Sequence, residues 1–311
     1  GAMSGTPIEN KHSEWLAPLE FLGVLDRFGG WHGFVTRYCG ARYQKGLGVW
    51  DTSGSTNGRE LYERLSQICY IRRLKKDHLK DLPDKIQQVQ FAEIDNEAKY
   101  RQIERDVGAY LMSSNGGRML TQGQTDAQGM IKLGLLRHAC GVGKVAWAVE
   151  WIETFLESGE KFVVYAHHRE VMEALRVGLK AWNPAFIGGG CEDVTREIEK
   201  FKTPTCRVMI ASITGAGFGI NGMQEVCSHI GILELMWTQT KHDQAVDRLH
   251  RIGQKDCVNA YYFIAEGTID EEMWAVLCDK SRIFASTVDG EDDNKRTVLE
   301  RIGAKFMHRA A

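Results

Sequence analysis

The sequence predicts an α/β protein in which a mainly parallel β-sheet, covered by helices on both faces, follows a mostly helical segment. From residue 161 onward, short apolar runs alternate with helical patterns, as in a series of βα units. The runs are continuously apolar, which is typical of parallel strands buried on both faces. The expected strands are 162–166, 185–187, 208–212, 229–235 and 260–264, with helices over 169–179 and 194–201.

The first half of the chain is predicted to be less regular. The stretch 29–58 is rich in glycine and aromatic residues without a clean period, so loops and short helices are expected there. The polar, glycine-rich stretch 113–128 is expected to be a mobile loop. Periodicity predicts helices over 13–21, 94–112 and 145–156, and a strand over 85–91.

Composition excludes several classes of protein. At 311 residues and 43% hydrophobic content, the chain can bury a sizeable core. A net charge of −2 rules out a generally basic nucleic-acid coat but leaves room for a local positive groove. The eight cysteines form no C-x-x-C pair, so neither a zinc site nor a disulfide framework is suggested, and most are expected to be buried thiols. No apolar run is long enough to span a bilayer and no signal segment is evident, so an intracellular protein is expected.

One eleven-residue string dominates the functional reading. Residues 244–254 read Q-A-V-D-R-L-H-R-I-G-Q. Arg248 and Arg251 stand three residues apart, so on a helix both guanidinium groups would project from one face, where they could meet a polyanion. Gly253 is expected to end that helix. Two arginines at this spacing could also form a solvated basic stripe.

The whole string resembles motif VI of the Snf2 family of superfamily 2 DNA translocases. The resemblance implies that Arg248 and Arg251 are arginine fingers, which reach an ATP held by another lobe and stabilise charge in phosphoryl transfer. It also implies that Gln244 and Asp247 are supporting nucleotide or interlobe contacts. The fold implied is a RecA-like second helicase lobe of the P-loop NTPase type.

Two upstream segments fit the same family. Ser4-Gly5-Thr6-Pro7, an ordinary turn by itself, looks like motif III, and the resemblance implies that Thr6 is a DNA-binding or coupling residue. The string I-R-R-L-K-K-D-H-L over residues 71–79 is similar to a further family motif, although a surface basic helix is the alternative. The resemblance suggests contacts with DNA phosphates for Arg72, Arg73 and Lys75.

Two more motifs follow predicted strands. Tyr165-Ala166-His167-His168 is close to the motif IV of the annealing-helicase branch, which implies that His167 and His168 contact the DNA backbone, a helix-capping role being nearly as plausible. Adjacent histidines on an extended chain point to opposite sides, so a joint metal site is not expected.

The glycine-rich stretch 212–221 stands in the place of motif V, and its backbone and hydroxyls suit anion binding. It departs from the family form at Gly215 and Gly222, and about two residues appear inserted before residue 234. Trp237 matches the family, but Thr238-Gln239 replaces the usual Asn-Pro. The candidates from this region are Ser212, Thr214 and Trp237 for DNA or coupling, and Gly217, Gly219 and Asn221 for the nucleotide or the lobe interface.

The end of the chain also matches the family. Thr268 is expected to cap a helix that carries Met273, Trp274 and Leu277 on one side and braces the two lobes. The expected organisation is the end of a first lobe with a family-specific helical and loop region (1–90), a helix and flexible linker (91–140), the C-terminal RecA-like lobe with its brace helix (141–285), and a polar tail (286–311).

Two ATPase motifs are missing from the sequence. No G-x-x-x-x-G-K-[ST] loop and no D-E-x-H string occurs; at Gly141-Val142-Gly143-Lys144, His138 and Val145 break the phosphate-loop pattern. ATP and Mg²⁺ are therefore expected to be bound mainly by a first lobe, in the same parent protein or in a separate chain, and this chain alone is expected to hydrolyse ATP negligibly.

The expected function is the finger-donating lobe of an ATP-driven translocase on double-stranded DNA, working with no membrane and located with DNA, in the nucleus if eukaryotic or the cytoplasm if bacterial or phage. The alternatives are a non-catalytic DNA- or protein-binding module and a degenerate structural lobe.

Overall fold

A computed structural model gives the fold of residues 1, 7–8, 11–44, 48–73, 75–114, 127–215 and 221–284. The helices of these ranges are α1 (Leu16–Phe21), α2 (Gly30–Tyr38), α3 (Gly58–Ile68), α4 (Lys75–His78), α5 (Glu97–Ser114), α6 (Ala127–Gly143), α7 (Val145–Leu156), α8 (Arg169–Gly178), α9 (Val194–Lys202), α10 (Gln239–Val246) and α11 (Ile269–Phe284). The strands are β1 (Arg42–Gln44), β2 (Val49–Asp51), β3 (Lys85–Ala92), β4 (Phe162–Ala166), β5 (Ala185–Ile187), β6 (Val208–Ser212), β7 (His229–Ile232) and β8 (Val258–Ala265).

Six strands form one parallel sheet in the order β3-β8-β7-β4-β6-β5. The predicted α/β class and its parallel sheet are confirmed. After β4 the chain first builds β5 and β6 on one side of that strand and then β7 and β8 on the other. The carboxyl ends of β4 and β7 therefore flank the point where the strand order reverses, which is where open α/β sheets place their ligands.

The core lies on both faces of the sheet because β4 is buried over its whole length. Val163 and Tyr165 face one hydrophobic cluster, which includes side chains of α9, α10 and α11. Phe162 and Val164 face the other, which includes side chains of α7 and α8. A period of two residues thus sends successive apolar side chains to opposite layers, and a continuously apolar strand results.

The N-terminal part has a separate small core. Trp15, Phe34, Tyr38 and Leu61 belong to a cluster formed by α1, α2 and α3. The expected helix over 13–21 is confirmed as a single 3₁₀ turn, His12–Trp15, followed by α1. Residues 29–58 contain the expected loops and a short helix, but also two short strands.

A small antiparallel hairpin of β1 and β2 was not foreseen within 29–58. Tyr43 lies directly opposite Trp50, with ring centroids 5.5 Å apart. Each strand is only three residues long, so too few positions alternate for the pattern to be visible in the sequence.

Strand β3, which the alternating pattern predicted, pairs with β8 along all eight of its residues. Residues from Lys85 onward therefore share the sheet of the second half, and the expected division at residue 90 falls inside β3. The following helices pack on the same unit, since the Tyr100 hydroxyl accepts a hydrogen bond from the amide of Ile269 at 2.7 Å. Residues 127–143, which were expected mostly as linker, form α6; residues 115–126 of the predicted loop and the predicted tail lie outside the described residues.

The glycine-lysine stretch before α7 is structural. Gly141 and Gly143 lie within α6, and Lys144 is fully buried. The Lys144 ammonium contacts Asp270 Oδ2 at 2.6 Å and donates to the carbonyls of Phe263, at 2.9 Å, and Leu233. All eight cysteines are free thiols, five of them buried, as expected. No helix in the described ranges is long and apolar enough to cross a membrane.

Candidate nucleotide-facing pocket and strand-end site

An open pocket of about 700 Å³ brings together most of the residues singled out in the string 244–254. We call it the arginine pocket. It is lined by Lys75, Leu79, Asn221, Gln224, Asp243, Gln244, Asp247, Arg248, Arg251 and Ile252.

The two arginines do not lie on a helix, contrary to the prediction. Helix α10 ends at Val246, and residues 247–254, which we call the arginine turn, continue in tight turns. The amides of Leu249 and His250 both donate to the Val246 carbonyl at 3.0 Å. Leu249 is fully buried in the core, which draws the chain inward there. Gly253 adopts φ 100°, so it closes the turn in a left-handed conformation and does not end the helix.

Both arginines nevertheless line one pocket in the folded chain. The Arg251 guanidinium donates to Asn221 Oδ1, which joins the turn to the end of the glycine-rich stretch 212–221. Arg248 lies close enough to the buried Tyr165 to lower the pKa of that phenol, although burial raises it more strongly. The predicted residues Gln244 and Asn221 line the same pocket, with Asn221 exposed.

Asp247 is the centre of an ion-pair network. Its carboxylate lies 2.8 Å from the Lys75 ammonium, 3.6 Å from that of Lys85 and 3.8 Å from His250 Nδ1. Burial favours the protonated acid, but His250, Lys85 and Lys75 outweigh it and hold the Asp247 pKa well below its usual range. Asp247 is therefore ionised and neutralised by the chain's own cations.

Gln254, the last residue of the string, organises the turn and was missed by sequence reasoning. Its side-chain amide donates to the Cys227 carbonyl at 2.9 Å, and its oxygen accepts from the amides of Lys255 and Asp256 at 2.9 and 3.0 Å. A buried glutamine that satisfies three backbone groups fixes the path of the turn into β8. Its place within the matching string was the only available signal.

The second group of predicted residues lies at the carboxyl ends of β4 and β6, outside the arginine pocket. Ser212 and Ala166 are register partners, so the two strands end side by side. The Ser212 and Thr214 hydroxyls lie 2.9 Å apart, and Ser212 Oγ accepts from the Gly215 amide at 3.3 Å. Thr214 is exposed. The stretch 212–221 thus begins at the strand ends and finishes in the arginine pocket.

Glu234, which follows β7, forms hydrogen bonds with His167 and His168 of motif IV. Its Oε2 accepts from the backbone amides of His167, at 2.7 Å, and His168, at 2.9 Å, and its Oε1 contacts His168 Nδ1. Glu234 therefore caps the amino terminus of α8 from a neighbouring strand. Burial opposes the charge, but these hydrogen bonds lower the Glu234 pKa, so the carboxylate is ionised.

The structure thus shows a helix cap at motif IV, but the histidines are the capped residues and do not themselves supply the cap. The histidine backbone amides are capped by Glu234, which the sequence indicates only as the position that follows an insertion. His168 also lies against His138, with ring centroids 4.7 Å apart, and His138 Nε2 is 3.0 Å from Glu170 Oε2. We call His138, His167, His168, Glu170 and Glu234 the strand-end site.

The remaining predicted residues are dispersed. Arg73 is exposed and Arg72 is half-buried, both before α4, and Trp237 packs against the main core. Lys75, expected at DNA, lies in the arginine pocket, where its ammonium contacts Asp247 and donates to the His250 carbonyl at 2.9 Å. Thr6, Gly217 and Gly219 lie outside the described residues.

The arginine pocket carries more positive than negative side chains, which suits the binding of an anion. It presents three cations, Lys75, Arg248 and Arg251, against two carboxylates. Among the described residues Arg251 is held by an amide oxygen and by no carboxylate, so its charge is not neutralised. No group of three or more His, Cys, Asp or Glu side chains that could hold a metal ion occurs in the described ranges.

A parallel sheet covered on both faces, with polar residues at the strand ends beside its reversal point, is the arrangement of a RecA-like α/β fold. The ATPase core domain of Sulfolobus solfataricus SWI2/SNF2 shares this fold: it superposes with a TM-score of 0.51 at 21% identity, over 98% of this chain and 63% of that one.

Sequence comparison shows which proteins the chain resembles. Residues 2–144 match the SNF2-related domain. The chain is 33% identical over 301 residues to the human DNA annealing helicase and endonuclease ZRANB3, covering 94% of this chain. It is 32% identical over 288 residues to the bovine SWI/SNF-related matrix-associated actin-dependent regulator of chromatin subfamily A-like protein 1, covering 91% of this chain. The chain is thus similar to Snf2-related proteins over most of its length. The chain spans 27% and 29% of the length of these two relatives.

Proposed function

We propose that this chain provides the second RecA-like lobe of an ATP-driven translocase on double-stranded DNA. The observation that carries the proposal is that Arg248 and Arg251 line one pocket with a net positive set of side chains. Phosphoryl transfer depends on positioning and on stabilising charge, and arginines from a second lobe are a recurrent source of both.

Each set of residues has its own part in this proposal. Arg251, held by Asn221, and Arg248 would meet the phosphate end of ATP, whose hydrolysis supplies the free energy for movement. Thr214, exposed at the end of β6, and Ser212 would contact the DNA backbone. His167 and His168 would act at the same edge, held in place by Glu234. The stretch 212–221 links the two locations, so it is the path by which nucleotide and DNA contacts would be coupled.

The test is ATP turnover by this chain alone and after fusion to a first lobe that carries a G-x-x-x-x-G-K-[ST] loop, each with and without duplex DNA. We expect negligible turnover by the chain alone and DNA-stimulated turnover by the fusion. Arg251→Ala should lower the stimulated kcat by on the order of 10³-fold, as the loss of an arginine finger does. The matched control is Arg176→Ala, which removes an exposed arginine from α8, outside the pocket, and should leave turnover within about twofold.

Two results would reject the proposal. Turnover by the chain alone would mean that a nucleotide pocket other than the arginine pocket completes the site. Unchanged turnover by the Arg251→Ala fusion would mean that the arginines are not fingers, and retained salt-dependent DNA binding would then favour a non-catalytic binding module.

A further inference from the structure

Residues 75–85, which we call the tether segment, contact the arginine turn through both ends of the segment. At one end the Lys75 ammonium contacts Asp247 Oδ2 at 2.8 Å and donates to the His250 carbonyl at 2.9 Å. At the other end His250 Nε2 donates to the Pro83 carbonyl at 2.8 Å, and Lys85 lies 3.6 Å from Asp247 Oδ1. Asp247 and His250 flank Arg248 and precede Arg251, so the segment holds the turn at the residues beside the arginines.

The arginine turn depends on such side-chain contacts because it has left the regular helix. Beyond Val246 its backbone is held by short-range turn bonds, such as Arg251 N to Leu249 O and Gln254 N to Arg251 O, both 3.0 Å. Turns of this kind leave more freedom than a continued α-helix would. The direction of Arg248 and Arg251 is therefore set by what packs against the turn.

The tether segment is also the covalent path between the two cores of the molecule. It follows α3, which belongs to the small N-terminal core, and leads directly into β3 of the six-stranded sheet. The residues that hold the arginine turn thus also form part of the covalent connection between the N-terminal core and the sheet.

We propose that Lys75 and Lys85 are positioning residues, which hold Asp247 and His250 so that Arg248 and Arg251 point into the pocket, and that the tether segment thereby couples the N-terminal core to the arginines. The catalytic consequence rests on the proposed function, whereas the positioning itself does not. Lys75 acts through Asp247 and the backbone of His250, although it also lines the pocket.

The positioning is tested on the chain itself by hydrogen–deuterium exchange. In Lys75→Ala we expect the amides of 248–254 to exchange about tenfold faster, because a charge-assisted contact to a carboxylate and one to a carbonyl are lost. The amides of the central strand β4 should keep their rates, which shows that the fold is intact. The matched control is Lys80→Ala, an exposed lysine of the same segment that does not line the pocket, with no expected change. Unchanged exchange over 248–254 in Lys75→Ala would overturn the proposal.

The catalytic consequence is tested in the fusion with a first lobe. Lys75→Ala should lower the DNA-stimulated kcat on the order of 10- to 100-fold with KM for ATP within about twofold, because misplaced groups lose transition-state contacts. Lys75→Arg, which keeps the charge opposite Asp247, should restore most of the loss. A raised KM with unchanged kcat would instead make Lys75 a direct nucleotide ligand and would overturn the positioning role. If Lys75→Ala exchanges faster over 248–254 but the Arg251→Ala fusion has normal activity, the positioning role of the tether segment would stand and the proposed function would be rejected.

Discussion

At the scale of single residues, burial alone lowers the pKa of His242. The residue is fully buried, and its Nε2 accepts a hydrogen bond from the Met236 amide at 2.8 Å. An acceptor nitrogen carries no proton, so the neutral imidazole is the form that fits. Desolvation accordingly lowers the His242 pKa from 6.5 to about 3.

This lowered pKa predicts a pH dependence of stability. Between pH 6.5 and about 3 the unfolded histidine binds a proton that the folded one does not, so the contribution of His242 is complete above pH 6.5 and falls as the pH falls. The loss from this residue should reach about 2 kcal/mol at pH 5, at about 1.4 kcal/mol per pH unit. Urea unfolding of His242→Gln at pH 7 and pH 5 should show a loss on acidification smaller by that amount. His32→Gln, at an exposed histidine, should behave like the parent chain; equal pH slopes in all three proteins would contradict the assignment.

At the scale of elements, α6 is shaped by the carboxylate that caps α8. A Cβ added at Gly141 would lie 2.6 Å from Glu234 Oε1. That oxygen cannot move freely because Glu234 is buried and holds the His167 and His168 amides. Gly141 therefore leaves space for the Glu234 carboxylate, which joins α6 to α8 at the strand-end site.

Two glycine substitutions in the same helix should consequently have opposite effects. Gly134→Ala should stabilise the protein by about 0.5–1 kcal/mol, since alanine is the better helix former and an added Cβ meets nothing within 4 Å. Gly141→Ala should destabilise it by about 1–3 kcal/mol, because Glu234 must shift or lose its hydrogen bonds. Thermal or urea unfolding of both variants measures the difference. In a Glu234→Ala background the penalty at Gly141 should vanish, and its persistence would show that another contact requires the glycine.

At the scale of the whole molecule, one buried ion pair joins five elements. Lys144 stands between α6 and α7, contacts the carbonyls at the ends of β7 and β8, and pairs with Asp270 in the first turn of α11. Burial disfavours the charged amine, but the attraction of Asp270 raises the Lys144 pKa above its ordinary value. The Thr268 hydroxyl, which accepts from the Asp270 amide at 3.2 Å, confirms the predicted cap of α11.

Breaking this pair should be costly, whereas removing both charges should not be. Lys144→Met leaves Asp270 buried and unpaired, and about 3–5 kcal/mol of unfolding free energy should be lost. The double variant Lys144→Met with Asp270→Leu should recover much of that loss. Breaking the exposed pair of Arg176 and Glu173 by Arg176→Met should cost less than about 1 kcal/mol. Additive losses in the double variant, measured by urea unfolding, would show that the two residues do not act as a pair.

Much of the architecture was determined by local sequence. Continuous apolar runs and helical periodicity gave β4, β5, β6 and α7 with their bounds, since local patterns of two and 3.6 residues report which faces are buried. The string at 244–254 likewise predicted four residues that line the arginine pocket, because its residue types and order resemble motif VI of the family; they are Gln244, Asp247, Arg248 and Arg251. The three-residue strands β1 and β2 were too short for any pattern to predict.

Tertiary structure decided how the site residues meet. The sequence predicted that Arg248 and Arg251 act together from one helix face, but the helix ends at Val246 and the turn that follows brings both into one pocket. Lys75 stands 172 positions before Asp247, and Glu234 stands 66 positions after His168. Contacts over such separations leave no local periodicity, because they are fixed by the parallel sheet order that folds these loops together.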